Sequence, residues 1–240
     1  MSYVLITKDG FYNMEGATAN GVVKPDSGVY NVQKVTEFLK SSGSGTMIVN
    51  MDAKPSTPVV KPVPSGKRVL IEVGHGGDEF GAESQGIREY DLNWITARVA
   101  QQTLVNAGIQ VTITDNNGEL YDIGRLSSGY DLFLSCHHNA MNGKIQGAEV
   151  CVHKTKHDPE DVKFAAILAT ALAKEFNITD RGVKSDRMLG VLSGSEDTNC
   201  KISVLMEPFF MDAVPKVDMK NWSERAGLVA ARTIIKYFSN

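Results

Sequence analysis

The chain has 240 residues, with 25 basic against 28 acidic side chains, 42% hydrophobic and 22% charged residues. That balance fits a folded chain of one or two domains and excludes disordered, collagen-like and disulfide-scaffold classes. Charge is close to neutral on both sides of residue 62 (6 basic and 5 acidic before it), which excludes a basic nucleic-acid-binding module, and no apolar run approaches the ~20 residues needed to span a bilayer. The opening MSYVLITKDGFYN lacks the basic and long apolar regions of a secretory signal, so the expectation is a protein made in the cytoplasm. Cys136, Cys151 and Cys200 show no CxxC spacing and read as a disulfide-free set in a reducing compartment.

In chain order, Tyr3–Thr7 reads as a strand closed by the turn signal Lys8-Asp9-Gly10. Val32, Val35, Phe38 and Leu39 recur at helical spacing before the stop Ser41–Gly45, and Thr46–Val49 reads as another strand. Residues 1–53 thus read as a small β-α-β-like module. Residues 54–66, KPSTPVVKPVPSG, hold four prolines and read as a semi-rigid linker. From residue 67 to 240 strands and helices alternate. Strands are expected at Arg68–Val73, Ile109–Thr114, Asp131–Ser135, Gly147–His153 and Ile202–Met206. Helices are expected over Tyr90–Asn106, Pro159–Phe176 and Asn221–Phe238. The fold class is α/β: a twisted, mainly parallel sheet flanked by helices on both faces, with a small N-terminal α+β module.

The chemistry gathers where strands end. His75 sits among glycines in Val73–Gly77, after the first strand of the large domain. Glu89 opens the helix reached from that loop. His137 lies in SCHHNA after the DLFLS strand, and Glu207 follows Ile202–Met206. Sites in open α/β sheets form at the carboxyl ends of strands. Two histidines and a glutamate are a common catalytic zinc set, and a further carboxylate beside them supplies a proton shuttle. Spacing alone is weak support, because no compact HExxH is present.

The motifs VLIEVGHGGDEFGA (69–82), Glu89-Tyr90-Asp91-Leu92-Asn93, YDLFLSCHHNA (130–140), Arg181-Gly182-Val183 and VLMEPFF (204–210) together resemble the zinc-dependent N-acetylmuramoyl-L-alanine amidases, amidase type 3. The resemblance runs from about residue 67 to the end. It implies a zinc ion (Zn2+) held by His75, Glu89 and His137, with Glu207 as catalytic acid/base. Asn139 and Arg125 are implied as substrate-binding residues. The implied reaction is cleavage of the amide between N-acetylmuramic acid and L-alanine in bacterial peptidoglycan. With the other expectations this suggests a monomeric phage-type endolysin that reaches the wall after release, its 1–53 module binding the wall. Two readings stay open: a zinc peptidase cutting within the stem peptide, and a non-catalytic wall-binding protein. Two departures from the family pattern stand out: EPFF after the glutamate, and His138. His138, His153 and His157 read as surface or strand-flanking residues. The pairs Asp78-Glu79 and Glu160-Asp161 read as solvated charge, Cys136 as a buried apolar residue, and Tyr121, Phe209 and Trp222 as core aromatics.

Overall fold

The computed structural model describes residues 3–7, 10–13, 46–50, 66–115 and 118–239. The chain divides into two compact units, Met1–Val59 and Val60–Asn240. In the first, β1 (Tyr3–Thr7) lies between β2 (Gly10–Asn13) and β3 (Thr46–Asn50), antiparallel to both. Both expected strands are present, and Gly10–Asn13, where only a turn signal was legible, adds a third by pairing back on β1. The helix expected around Val32–Leu39, and nearly all of the proline-rich segment, lie outside the described residues.

The second unit is a six-stranded sheet in the order β10-β9-β11-β8-β4-β7. Its strands are β4 (Arg68–Val73), β7 (Gln110–Asp115), β8 (Leu132–Cys136), β9 (Ala148–Cys151), β10 (Asp180–Lys184) and β11 (Ser203–Glu207). β7, β4, β8 and β11 run parallel, while β9 and β10 are parallel to each other and antiparallel to β11. A small ribbon, β5 (Glu83–Ser84) with β6 (Ile87–Arg88), precedes the first helix. The sheet is therefore mainly parallel, with one reversed pair at an edge.

The helices are α1 (Glu89–Asn106), α2 (Leu120–Arg125), α3 (Pro159–Phe176), α4 (Gly190–Glu196) and α5 (Lys216–Phe238). The last begins five residues before the expected Asn221, since Pro215 sets the extended turn into it. α1, α3 and α5 cover one face, and the short α2 and α4 pack together over the other. Period-two alternation sends Val69, Ile71 and Val73 into the large core and Leu70 into the small one, with Leu134, Val204 and Met206 against Phe133 and Leu205 repeating the pattern. α3 starts on a reciprocal cap: the Asp158 side chain accepts from Glu160 N and Asp161 N, and Asp161 reaches back to Asp158 N at 2.8 Å. Asp161 also accepts from Ser203 N at 2.7 Å and is buried, so the solvated reading of Glu160-Asp161 holds for Glu160 alone. α3 closes on Asn177 in the left-handed conformation.

Candidate metal centre and active site

β4 leads into a loop that reverses within a few residues. Gly76 and Gly77 take positive φ, and so does His75 itself, at 67°. A histidine held there is backbone strain of the kind that clusters at functional sites. The loop returns through a bridge between Gly76 and Glu79 to Gly81 and Ala82, whose carbonyl receives the Glu89 amide at 2.8 Å. Glu89 opens α1, where the helix N-terminus favours a carboxylate. β8 delivers His137 one residue past its end.

The three side chains meet. Glu89 Oε1 lies 3.0 Å from His75 Nε2 and 2.9 Å from His137 Nδ1. These donor atoms lie within 4.8 Å of one another. The glutamate is oriented by two backbone donors, Ala82 N to Oε2 and His138 N to Oε1, each at 3.1 Å. Burial alone would raise its carboxyl, but hydrogen bonds from His137 and His75 outweigh this and hold it well below the usual range. Burial opposes charge on His137, yet its bond to Glu89 and the field of Glu72 push it up to about 9.

The residues fit a divalent metal. Two imidazole nitrogens and a carboxylate oxygen converge, which is the three-ligand set that leaves a further position open. The space is kept by Gly81, where a Cβ would stand 2.5 Å from His75 Cδ2 and 2.6 Å from Glu89 Oε2. Gly74 likewise leaves room for the His137 ring. His75 Nδ1 pairs with the Glu79 carboxylate, which also accepts from Gly81 N at 2.8 Å. A carboxylate on the outer nitrogen fixes the tautomer that offers Nε2 inward. Asp78 and Glu79 are both exposed, as expected, and Glu79 in addition pairs with His75.

Glu207 ends β11 beside His137, whose amide donates to Met206 O at 3.1 Å. It is buried, and burial pushes its carboxyl up to about 7. Asn139 Nδ2 donates to Glu149 Oε1 at 3.0 Å, at the same end of the sheet. Arg125 lies elsewhere. It is exposed at the end of α2, just before Gly129, whose carbonyl receives Arg68 at the start of β4. That is the opposite end of the strands from the cluster.

His138 is not at the surface. It is buried, with Nδ1 2.7 Å from Asn93 Oδ1 and Nε2 3.1 Å from Ser223 Oγ. Burial lowers its pKa to about 3, so it stays neutral. Asn93 in turn donates to Gly74 O at 2.9 Å, tying α5 and α1 to the loop that carries His75. His153 is also buried, 3.1 Å from Ser193 Oγ. The EPFF departure divides. Phe209 enters the core against His138 and Trp222, while the Phe210 ring lies 5.1 Å under the Arg181 guanidinium. Cys136 is buried and Trp222 stacks on Phe176, as expected; Tyr121 instead stays partly exposed and bonds Asp197 at 2.9 Å.

Sequence reasoning passed over Glu72, Glu149 and Arg187, and missed the pairing of Glu79 with His75. The signal for Glu72 and Glu149 was present, since each is one acid inside an apolar strand. Glu79 stands four residues from His75. Nothing in the local pattern marked Arg187.

An α/β fold whose sheet gathers two histidines and a glutamate able to hold a metal, with a buried carboxylate beside them, defines a candidate metallohydrolase. The chain belongs to the amidase type 3 family, described as N-acetylmuramoyl-L-alanine amidase, whose pattern matches residues 69–233. It is 29% identical over 195 residues to an uncharacterized cell wall amidase of Bacillus anthracis, covering 72% of this chain and 36% of that protein. Among solved structures it resembles Cwp6 from Clostridium difficile, with TM-score 0.63 and 29% identity, covering 71% of this chain and 29% of the other. It also resembles the catalytic domain of the CD27L endolysin targeting Clostridia difficile, with TM-score 0.56 and 25% identity, covering 69% and 97%. The chain thus spans about a third of the first curated relative's length.

Proposed function

We propose that the Val60–Asn240 unit is a zinc-dependent amidase that cleaves the bond between N-acetylmuramic acid and L-alanine in peptidoglycan. The observation that carries this reading is the placement of Glu207 beside His137, at the edge of the His75–Glu89–His137 cluster, in a chain of this family. His75, Glu89 and His137 would hold the zinc. When bound, it supplies Lewis acidity at the scissile carbonyl and a water that is nucleophilic near neutral pH. Glu207 would take a proton from the attacking water and return it to the departing alanine amine, so that water adds across the C–N bond and the carboxylate is regenerated. A carboxyl near 7 suits both transfers. The Asn93–His138–Ser223 chain and Glu79 keep the metal-binding side chains in place.

The biological role we propose is lytic, of the phage type, supported by the likeness to an endolysin catalytic domain. Residues 1–53 would bind the wall, with residues 54–66 as a tether that raises the local concentration of the catalytic unit. The test is mass spectrometry of purified peptidoglycan after digestion, with chelator and with zinc restored. Free stem peptides beginning at L-alanine, lost on chelation and recovered with zinc, are expected. Shortened stems still attached to muramic acid would replace this reading with a peptidase. An absence of products under every metal condition would leave a wall-binding protein.

A further inference from the structure

Beside Glu207 stands a charge cluster that the proposed hydrolysis does not use. Glu149 is the second residue of β9 and is fully buried. Burial of a carboxylate is tolerated when its oxygens are bonded and its charge is balanced. Here Arg181 Nε donates to Oε2 at 2.8 Å, while Arg187 Nη2 and Asn139 Nδ2 donate to Oε1 at 3.1 and 3.0 Å. Two guanidinium groups thus face one buried carboxylate, leaving one positive charge in excess before Glu207 is counted. Arg181 is fixed further by Phe210 beneath it.

Arg187 is different. Its side chain is 45% exposed, and its Nη1 lies 3.9 Å from Glu207 Oε1. That distance suits an ion pair but is too long for a hydrogen bond. The guanidinium is therefore anchored on one edge, with donors to spare on the other, next to the group assigned to proton transfer. A pre-oriented guanidinium is well matched to a carboxylate, which it can bind through two parallel hydrogen bonds.

We infer that Arg187, held by Glu149, is a specificity-determining contact for a free carboxylate on the peptide side of the scissile bond. This rests on the amidase reading above. Glu207 must come within about 3 Å of the leaving nitrogen. The free edge of Arg187 then lies within two residues of that nitrogen, since one extended residue spans about 3.5 Å. In peptidoglycan the residue after L-alanine is joined through its side-chain carboxyl, so its main-chain carboxyl hangs free at that distance. Some walls carry it as a carboxamide. The ligand class is an acidic stem peptide rather than an amidated one.

The test uses the full chain and two probes, N-acetylmuramoyl-L-alanyl-γ-D-glutamyl-L-lysine and its D-isoglutaminyl counterpart, in both of which the side-chain carboxyl is amide-linked as in the wall. With metal restored, the wild type is expected to prefer the acid by about ten- to a hundredfold in kcat/KM, chiefly through KM. Arg187→Gln should erase the preference, and Arg187→Lys should keep part of it. Thermal melts confirm that each variant is folded. A second readout needs no turnover: calorimetric binding of L-alanyl-γ-D-glutamyl-L-lysine and its α-carboxamide to chelator-treated protein. The acid should bind more tightly to wild type, and the two should bind alike to Arg187→Gln. Equal binding of acid and amide by wild type overturns the inference whatever the hydrolysis assay gives. Discrimination in binding without hydrolysis of either probe would keep the inference as a binding contact and overturn the amidase reading alone.

Discussion

Along β4, β8 and β11, the residues turned towards α1, α3 and α5 are apolar to the strand ends: Val69, Ile71 and Val73; Leu132, Leu134 and Cys136; Val204 and Met206. On the face under α2 and α4, the same strands carry Leu70, Phe133 and Leu205, and then change character. The next positions facing that side are Glu72, Ser135 and Glu207, followed by His137 past the end of β8. One face is packed through its whole depth, and the other only through its lower half. The upper half buries Glu72 with neither oxygen hydrogen-bonded among the described residues, and Glu207 with Oε2 unbonded. Groups buried in this way cost stability. The comparison teaches that the large face supplies the folding energy and the small face uses part of it to hold charged groups in place, away from water. Burial of Glu72 raises its carboxyl in the same way as that of Glu207.

Substitutions can separate the two faces. The largest effect on hydrolysis is expected from Glu207→Gln, about a thousandfold in kcat, read from product release. The same variant should be more stable than wild type in chelator above neutral pH. Glu207 has a folded pKa of about 7 against a reference of 4.5, so wild-type stability falls as pH rises from 4.5 to 7. A neutral glutamine escapes that loss. Melts at pH 4 should therefore coincide, and at pH 8 the variant should melt higher. A variant that melts lower at pH 8 would deny that burial of this carboxylate costs stability.

Next in size is Gly81→Ala. Its Cβ would stand against His75 and Glu89, and the residue has a φ of 70°. Metal affinity, followed by competition with a chromophoric chelator, should fall about ten- to a hundredfold or more. Unchanged affinity would mean that this glycine does not guard the metal space.

The smallest effect on chemistry is expected from the packed face. Leu168→Ala, at a fully buried position of α3, should cost about 2–5 kcal/mol in denaturant unfolding. Metal affinity and kcat of the folded fraction should stay at wild-type values. A parallel loss of metal affinity would show that the two faces are coupled.

Much of this was legible in the sequence because it is local or periodic. Alternation gave β4, β8 and β11, and the run from Pro159 to Phe176 matched α3 at both ends, since Asp158, Pro159 and Asn177 mark them. The strand-end histidines and glutamates announced the cluster because glycines and apolar runs framed them. What escaped depends on partners distant in sequence. His138 is indistinguishable from a surface histidine until Asn93 and Ser223 close around it from two helices. Arg187 gains meaning only from Glu149 and Glu207, which reach it from β9 and β11. The positive φ of His75 and the short α2 and α4 are likewise tertiary outcomes, too brief for periodicity to register.

The most direct test of the account is diffraction from zinc-soaked crystals at wavelengths on either side of the zinc absorption edge. The account predicts one strong anomalous peak bonded to His75 Nε2, Glu89 Oε1 and His137 Nδ1, with Glu207 beside it but not bonded to it. A peak held by other residues, or none at this cluster under saturating zinc, would contradict it.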